Sequence, residues 1–580
     1  MTRITACPLD CYDGCLIVHK QNKIKALSGG HTQGFLCPHM NHYKNYKTIA
    51  KPRYRGKEIT IDEALFRLKE MLEIPKKDEI LHYRGNGNFA LMQEVTDHFF
   101  ASFGAVLTDG SLCDGAGEAG IIEGRGSNKN ISITEIAKSE VVIFWGRNPH
   151  ATSSHLLPLI RGKTIIVIDP IKTRIADMAD IFVQIKPHFD LEFAMLLVRF
   201  LYIQYDVDEE YLDKYASEYE DFYELTQSIR VKTTLDDMDV SLGQIGEILD
   251  AVVGKKVAIV CGVGIQKYRD GADVMRAIDA FGVMLSLFGK EGSGVAYLGS
   301  SKENIDTPFN TKAFRVSKVD TKFSNYKTVF IQGTNPLSQM PNSSRVKKSI
   351  LDVENIVYFG LYENETSEIA DLIIPAKSFL YKNDIRTSYS HNGMMFMDMV
   401  AECEDGISEY DLAYYLCREF GIKIDSEEFY LNHFKSFGVK KEDGSWHVKG
   451  RDEVVYKDGF DTDTKEFVFL EEFEKHLSKT DGLYLITPKS MMSLNSQFQR
   501  EEFVYLHPSL GFLENEEVII SSACGSISLN VGLDSDIRKD CVLIYSGTQG
   551  VNNLTTSCHS LDGKNAIFQE NMVTITRVSG

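Results

Sequence analysis

The sequence predicts an α/β protein of several domains that begins with a small cysteine-rich domain and ends in a β-barrel. Between about residues 80 and 400, short β-branched runs alternate with helical stretches, the pattern of parallel sheets covered by helices. Part of this central region is repeated within the chain. Residues 481–580 form short apolar runs separated by Gly, Ser and Asp, which is typical of an all-β barrel.

The composition is that of a folded protein whose main partner is not nucleic acid. Of the 580 residues, 43% are hydrophobic and 25% charged, and the formal net charge is −19. This charge disfavours binding to a phosphate backbone. We find no export signal, no apolar run of the ~20 residues that a membrane span needs, and eleven cysteines too scattered for a disulfide framework. These features predict a cytoplasmic protein in which clustered cysteines bind metal.

Four cysteines near the N-terminus form the strongest motif. Three residues separate Cys7 from Cys11 and Cys11 from Cys15, and Cys37 follows later in the chain. Four thiolates suit either a [4Fe–4S] cluster or zinc, because both prefer sulfur ligands. The arrangement of three plus one favours the cluster, since structural zinc sites commonly use two closely spaced pairs. We therefore predict an iron–sulfur domain over residues 1–50, which needs a second centre for substrate chemistry.

Two stretches of the central region resemble each other. In VVIFWGRNP a strand ends just before Gly146 and Asn148, and in TVFIQGTNP one ends before Gly333 and Asn335. Each copy continues through another strand into a tail that contains Ala-Asp. Open α/β sheets bind ligands at the carboxyl ends of their strands, where helix N-termini hold phosphate. The repeat predicts two related α/β halves within residues 51–424, each with an equivalent ligand-binding end.

A carboxylate supports a nucleotide site in the first copy. Asp169 ends the strand that follows Asn148, where an acidic residue commonly binds ribose hydroxyls. The alternative is that Asn-Pro only starts a turn and that the aspartate caps a helix. The duplication favours the ligand site.

Two further loops are candidates for close approach to a ligand. Gly262 and Gly264 follow a strand, although such glycine pairs are often plain turns. Cys113 lies among small residues in GSLCDGAGEAG, which leaves room for a bulky group. Asp114 beside it is a candidate proton relay. The alternatives are a small core cysteine and a solvated loop carboxylate.

The C-terminal third divides into two parts. Residues 425–480 are polar and acidic without clear periodicity, and we expect a linker or insertion there. Residues 481–580 contain the runs LYLITP, EEVIISSACGSISLNVG, CVLIYSG and MVTITRV, which predict the barrel.

The order of motifs along the chain resembles one known family. CPLDCYDGC and GFLCPHM are followed by GSLCDGAGEAG, WGRNP, VIDPIKTRIADMAD, QGTNPLSQ, ENETSEIADLIIPA, ITPK, LNSQF, GVNNLT and FQEN. This series resembles the molybdenum or tungsten bis(molybdopterin guanine dinucleotide) oxidoreductases, which include dimethyl sulfoxide reductase, formate dehydrogenase and acetylene hydratase. The resemblance covers nearly the whole chain except about 425–480. It implies that the two halves within residues 51–424 are pseudo-related, Rossmann-like α/β domains that each bind one dinucleotide.

The resemblance implies a role for each matching position. It implies that Cys113 is the protein ligand of a molybdenum or tungsten ion held by two pterins, and that Cys7, Cys11, Cys15 and Cys37 hold a [4Fe–4S] cluster. Residues implied at the first dinucleotide are Asn148, Asp169 and Asp190, with Gly146, Gly262 and Gly264 in neighbouring loops. Residues implied at the second are Gly333, Asn335 and Glu365. Those implied to close over the pterins are Thr487, Lys489, Asn495 and Asn553.

Three departures from the family pattern bear on the reaction. His39 stands where many redox members have Lys between cluster and pterin, and an imidazole also donates a hydrogen bond. Formate dehydrogenases follow their metal-bound residue with His, where this chain has Asp114, so formate is not the preferred substrate. Acetylene hydratase has a catalytic Asp where this chain has Tyr12, and only Asp10 or Asp13 nearby could replace it.

The sequence therefore predicts an oxidoreductase that carries out two-electron chemistry on a small substrate. The cluster is expected to relay electrons to an external carrier, such as a ferredoxin-like or flavoprotein partner, because the sequence contains no second cysteine cluster. The first alternative is a non-redox lyase of hydratase type. The second is an electron-transfer subunit that has lost the metal.

Overall fold

The protein is described from a computed structural model that covers residues 2–29, 32–403, 405–474 and 482–578. The chain forms two compact units. The first consists of Met1–Gly110, Ser301–Arg451 and Met491–Arg500. The second consists of Ser111–Ser300, Asp452–Ser490 and Glu501–Gly580. Within the described ranges, no helix has both the length and the apolarity to cross a bilayer.

An eight-stranded sheet forms the centre of the first unit. Its strands, in spatial order, are Arg315–Ser317, Val106–Asp109, Ile80–Arg84, Thr328–Gln332, Asn355–Gly360, Leu372–Pro375, Arg53–Tyr54 and Lys57–Glu58. The first six are parallel to one another, Arg53–Tyr54 pairs antiparallel with Leu372–Pro375, and Lys57–Glu58 pairs antiparallel with Arg53–Tyr54. Thr328–Gln332 is buried along its whole length, as expected for a central parallel strand.

Smaller elements of the first unit surround this sheet. Its helices are Pro38–Asn41, Ile61–Glu73, Val95–Phe103, Pro336–Gln339, Ser343–Leu351, Glu365–Glu368, Glu409–Glu419 and Glu427–Ser436. An antiparallel sheet near the N-terminus contains Thr2–Ala6, Leu16–Lys20 and Lys23–Ala26. Three hairpins pair Asp384–Thr387 with Met394–Met397, Gly438–Lys440 with Trp446–Val448, and Ser493–Leu494 with Gln497–Phe498.

The segment 425–480, expected to be a linker or insertion, contains regular structure in its first half. Glu427–Ser436 is a helix, and a hairpin follows it. Tyr430 and Phe434 of the helix are buried, so its apolar face packs within the first unit. Residues 475–480, and residue 481 at the expected start of the barrel domain, lie outside the described residues.

A five-stranded parallel sheet forms the centre of the second unit. Its order is Ile181–Val183, Thr164–Ile168, Val141–Trp145, Val257–Cys261 and Gly294–Ala296. The helices are Gly115–Arg125, Ile133–Ile136, Asp190–Gln204, Glu209–Tyr215, Tyr219–Thr226, Val231–Met238, Leu242–Val252 and Gly271–Met284. A Cβ at Gly120 would lie 2.1 Å from the Ala272 carbonyl oxygen. Glycine therefore permits the first and last of these helices to pack closely.

The second unit also contains a closed six-stranded barrel. Its strands, in order around the barrel, are Leu483–Ile486, Cys541–Leu543, Phe503–Leu506, Ser526–Leu533, Glu517–Ser521 and Met572–Arg577. Alternating residues such as Val518 and Ile520 are buried in its core, as a barrel requires. The predicted C-terminal β-barrel is confirmed.

The internal repeat has a counterpart in backbone hydrogen bonds. In the second unit Gly146 N donates to Ile168 O at 2.8 Å, and in the first Gly333 N donates to Phe359 O at 2.9 Å. The Ala-Asp tails match as well. Asp180 accepts from Ile165 N and donates its own N–H to Ile165 O, and Asp371 makes the same pair of bonds with Ile356. Each unit thus builds its strand-end loop in the same way.

Candidate functional site

The first unit brings four cysteines together. Cys7 N donates to Cys15 O at 2.8 Å, which closes the loop that carries Cys11. Burial and the neighbouring Cys37 raise the pKa of Cys7 to about 12, and burial raises that of Cys37 to about 11. Burial and the charges of Asp13 and the other cysteines raise the pKa values of Cys11 and Cys15 well above normal.

These thiols fit a metal centre better than a disulfide. All eleven cysteines of the chain lie within the described residues, and none of them forms a disulfide there. Four thiolates so close together repel one another, and a metal ion or cluster supplies the positive charge that keeps them deprotonated. Four thiols are the ligand set of a [4Fe–4S] cluster and also that of a structural zinc site.

His39 lies on the short helix that follows Cys37. The helix Pro38–Asn41 begins directly after this cysteine. The His39 ring is buried, its Nε2 lies 3.1 Å from Ser493 O, and it stacks on Phe498 with ring centroids 6.1 Å apart. Both partners belong to the hairpin whose turn contains Asn495, at a φ of 53°. This histidine therefore links the cysteine region to the hairpin around Asn495, a residue that the family resemblance implies for pterin binding.

The strand-end loop of the first unit holds a polar cluster. Asn335 Nδ2 donates to Glu365 Oε2 at 2.7 Å, and Thr366 Oγ1 donates to Asn335 Oδ1 at 2.7 Å. Arg500 donates to the other oxygen of Glu365 at 2.6 Å. Burial opposes ionisation of Glu365, but the bonds from Arg500 and Asn335 outweigh it and keep the pKa of this carboxyl below its ordinary value. Sequence reasoning missed Arg500, which comes from 135 residues away.

Backbone packing explains the glycine in this loop. Gly333 has a φ of 57°, in the left-handed region that favours glycine. Gly87 N donates to its carbonyl at 2.8 Å, and a Cβ on Gly87 would lie 2.6 Å from the same oxygen. The loop after Ile80–Arg84 therefore lies directly against the strand end of the second repeat copy.

In the second unit, Cys113 lies on an exposed loop with a fixed backbone. Ser111 Oγ accepts from Cys113 N at 2.9 Å and from Asp114 N at 3.1 Å, and it donates to Asp114 Oδ1 at 3.0 Å. The helix Gly115–Arg125 begins immediately afterwards. The Cys113 side chain is exposed, in contrast to the alternative that it is a small core residue. An accessible thiol on an ordered loop suits a metal ligand.

Two buried amides, which sequence reasoning missed, hold this loop. Gln266 Nε2 donates to Cys113 O at 2.8 Å, and its Oε1 accepts from Gly117 N at 2.9 Å. Asn565 Oδ1 accepts from Gly115 N at 3.2 Å, and its Nδ2 donates to Gln266 Oε1 at 3.3 Å. The backbone on both sides of Cys113 is therefore held by side chains from distant parts of the chain.

A buried lysine lies beside the same loop. Lys267 is 9% exposed, and its ammonium donates one long hydrogen bond, 3.4 Å, to Leu112 O. It lies 4.8 Å above the centre of the Phe568 ring and makes no ion pair with the described residues. Burial and the charge of Lys489 lower the pKa of Lys267 to about 8, while Cys113 and Asp114 oppose the shift. An anion is the expected partner of such a group.

The strand-end loop of the second unit is very tightly packed. Gly146 has a φ of 59°, and a Cβ there would lie 2.4 Å from a methyl of Ile265. A Cβ on Gly262 would lie 1.7 Å from Gly146 O. Gly264 differs, because a Cβ there would meet nothing within 4 Å. Packing within the chain therefore explains why Gly146 and Gly262 have no side chain. The space beside Gly264 is open and could admit a ligand.

The three polar residues proposed for the first dinucleotide have separate local contacts. Asn148 Oδ1 accepts from His150 N at 3.1 Å, as in the turn considered above. Asp169 Oδ1 accepts from Ile171 N at 2.9 Å, and Asp190 Oδ1 accepts from Trp145 Nε1 at 2.7 Å. Burial raises the pKa of Asp169 to about 7. The hydrogen bond from Ile171 opposes this rise, and the charge of Asp190 adds to it. Burial raises that of Asp190 to about 6.

Three candidates come from the barrel region. Thr487 N donates to Gln569 Oε1 at 3.3 Å, and Gln569 donates back to the Thr487 hydroxyl at 3.2 Å. Lys489 is close enough for its charge to act on Lys267. Asn553 ends the short turn of helix Val551–Asn553, where its N–H donates to Gly550 O. Of these three residues, Lys489 is therefore the one whose charge acts on the lysine beside the Cys113 loop.

Comparison with known proteins identifies the family. The family model described as molybdopterin oxidoreductase matches residues 51–418. The chain belongs to the molybdopterin oxidoreductase family. The predicted family is thus confirmed, and membership indicates a molybdopterin cofactor. Its relatives include proteins named as oxidoreductases and reductases.

Two relatives and one solved structure illustrate the similarity. The probable oxidoreductase YyaE of Bacillus subtilis (strain 168) is 25% identical over 67% of this chain and 64% of that protein, so the chain covers less than two thirds of this relative. The assimilatory nitrate reductase catalytic subunit of the same organism is 21% identical over 94% of this chain and 92% of its own length. The structure of acetylene hydratase from Pelobacter acetylenicus, 14% identical, matches with a TM-score of 0.79 over 99% and 100% of the two chains. This likeness confirms the mixed α/β fold.

Proposed function

We propose that the protein is a molybdenum- or tungsten-dependent oxidoreductase that carries out two-electron chemistry on a small substrate. Cys113 is the protein ligand of the metal, which is also held by two molybdopterin guanine dinucleotides. The observation that carries this proposal is the exposed Cys113 thiol on a loop fixed by Ser111 and Gln266. The buried ammonium of Lys267 beside that loop supports an anionic occupant, such as a phosphorylated pterin.

The residues around Cys113 orient the substrate and supply protons. When bound, the metal provides the two-electron redox change and Lewis acidity. Asp114 is held by the Ser111 hydroxyl and is the candidate for proton transfer at its carboxyl oxygens. Gln266 keeps the Cys113 backbone in place, so that the sulfur remains in one position during turnover.

The two strand-end loops are the candidates for the two dinucleotides. Glu365, ionised and fixed by Arg500, supports recognition of ribose or base N–H and O–H groups in the first unit. Asp169 and Asp190 are the corresponding carboxyls in the second unit. The left-handed glycines Gly146 and Gly333 form equivalent strand ends for them. Lys489, Thr487, Asn495 and Asn553 remain proposed pterin contacts from the C-terminal part.

Cys7, Cys11, Cys15 and Cys37 hold a [4Fe–4S] cluster in this proposal. It relays single electrons to an external carrier of ferredoxin or flavoprotein type, in the cytoplasm. Cys7 and Cys15 are buried, and Cys11 and Cys37 are half-buried, which supports a cluster largely shielded from water. His39 supports an electron path, because it connects Cys37 to the hairpin around Asn495 through a hydrogen bond and a stacked ring.

A hydratase is the second candidate. Asp13 is 2% exposed and its charge acts on the cluster cysteines, so a carboxyl does lie close to the proposed cluster. Asp10 is less suitable, because Asn86 and Tyr389 already donate to its two oxygens. Turnover without any electron acceptor would favour this candidate over the oxidoreductase.

The metal ligand is tested by two matched cysteine variants. Cys113→Ala removes the proposed ligand, whereas Cys558→Ala removes another exposed thiol of the same unit. We expect the first to lose at least a hundredfold in activity and to change the sulfur coordination seen by X-ray absorption at the Mo or W edge. The second should match the wild type. Unchanged metal coordination in Cys113→Ala would overturn the assignment and favour an electron-transfer subunit.

A further inference from the structure

Residues 386–391, here called the clamp, lie along the loop that carries Cys7, Cys11 and Cys15 and hydrogen-bond to it at several positions. The clamp begins in the second half of the strand Asp384–Thr387. Arg386 Nη2 donates to Leu9 O at 3.1 Å and to Cys11 O at 3.3 Å. Ser388 Oγ donates to Tyr12 O at 3.2 Å, and Tyr389 Oη donates to Asp10 Oδ1 at 2.9 Å. His391 Nε2 lies 2.8 Å from Gly14 O. The loop that carries three of the four cysteines is therefore held along most of its length.

Arg386 differs from the rest of the clamp because it is charged and fully buried. Its exposed fraction is 0%, and its guanidinium lies 4.2 Å from the centre of the Phe89 ring. Nε and Nη1 have no hydrogen-bond partner among the described residues. No carboxylate of the described chain lies within ion-pair distance. Its charge nevertheless acts on the thiol of Cys7.

A buried guanidinium with two nitrogens that donate no hydrogen bond is costly unless an anion accompanies it. Holding two carbonyl oxygens explains Nη2 alone. The Cys7 thiol, on which the charge of Arg386 acts, becomes anionic when it binds metal. A [4Fe–4S] cluster with four thiolates carries a net negative charge and sulfur atoms that accept N–H bonds, and both determine its potential.

We propose that Arg386 binds the iron–sulfur cluster, with Nε–H and Nη1–H donating to its sulfur atoms and the cationic charge stabilising its reduced form. This inference rests on the cluster assigned under the proposed function. Reduction adds one electron and one negative charge to the cluster, and no bond of Arg386 changes. Arg386 is thus a cluster-binding residue that tunes electron transfer.

The test is an anaerobic redox titration of the whole protein, followed by electron paramagnetic resonance, with iron counted per chain. Arg386→Gln removes the charge, Arg386→Lys keeps it, and Ser388→Ala removes a neutral clamp contact with the same loop. At a fixed potential we expect the glutamine variant to lower the reduced-to-oxidised ratio about tenfold, which is a 59 mV decrease for a one-electron couple. The alanine variant should stay within about twofold of the wild type, and the lysine variant, which keeps the charge but loses the guanidinium donors, should lie between the wild type and the glutamine variant.

Each outcome bears on the proposal. A glutamine variant with full iron and an unchanged ratio overturns it. If that variant retains no iron, the lysine variant decides: recovery of at least half the wild-type iron supports the charge interaction, and equal loss in both overturns it. Failure of the proposed function is recognised separately, because the wild type would then contain no iron and give no cluster signal.

Discussion

The side-chain amide of Gln266 donates a 2.8 Å hydrogen bond to the backbone carbonyl of Cys113. The same side chain accepts from Gly117 N, at the start of the following helix. Gln266 is completely buried, so water does not replace these bonds. The position of the Cys113 sulfur therefore depends on a residue 153 positions away in the sequence.

Gln266→Glu should impair the site without altering its size. A carboxylate cannot donate to Cys113 O, and it leaves a buried carbonyl unsatisfied or forces its own protonation, at a cost of about 1–3 kcal/mol. We expect at least tenfold lower kcat and less bound Mo or W, measured by steady-state kinetics and elemental analysis. Gln204→Glu, an exposed change in the same unit, serves as the control. Wild-type kcat and metal content in Gln266→Glu would show that the bond to Cys113 is dispensable.

Lys267→Met should have opposite effects on the free and the loaded protein. Burial lowers the pKa of Lys267 from 10.5 to about 8, so below pH 8 the charged side chain destabilises the unloaded fold, and this cost disappears as the pH rises towards 10.5. We expect the cofactor-free variant at pH 7 to gain about 3 kcal/mol in the free energy of unfolding. The loaded variant should instead release guanine nucleotide at least tenfold faster.

The control for this experiment is Lys232→Met, an exposed lysine of the same unit, which should change neither quantity. Denaturant unfolding of the unloaded protein and nucleotide release from the loaded protein measure the two effects. If Lys267→Met destabilised the unloaded protein, the ammonium would have a partner within the fold and would not be an anion site.

Asp169→Asn should change the pH dependence of stability. Burial raises the pKa of Asp169 to about 7, so the folded state binds the proton more tightly than the unfolded state. The bound proton therefore adds to the free energy of unfolding. This stabilisation is complete below about pH 4 and is lost as the pH rises through 7. We expect the asparagine variant of the cofactor-free protein to be about 4 kcal/mol more stable than the wild type at pH 8, with little difference at pH 4.

Asp180→Asn provides the comparison, because Asp180 also accepts a backbone N–H but is exposed. Unfolding curves at several pH values report the difference. A variant with the wild-type pH profile would mean that Asp169 is already ionised in the fold at neutral pH.

The sequence was sufficient to predict the fold class, the family and the barrel, because these depend on periodicity and on motifs of fixed spacing. The four cysteines carry such a signal, and the structure brings their thiols together. The repeated Gly-x-Asn-Pro loops also carry one, and their glycines share nearly the same φ.

The residues that support these motifs carry no local signal. Gln266, Lys267, Arg386 and Arg500 are single polar residues, and each has a side-chain partner more than a hundred positions away. Their roles arise from these long-range hydrogen bonds and from their surroundings, which only a folded chain defines. The helix at Glu427–Ser436 was missed for a related reason: only Tyr430 and Phe434 of its ten residues are buried, so its apolar stripe is too narrow to stand out.

The most direct test of the proposed centre is elemental and nucleotide analysis of the wild-type protein purified without oxygen. We expect about four Fe per chain, one Mo or W, and two guanine nucleotides released by acid. Iron alone after growth with ample molybdate and tungstate would contradict the catalytic metal at Cys113. Zinc alone would contradict the cluster assigned to the four N-terminal cysteines and the redox function that depends on it.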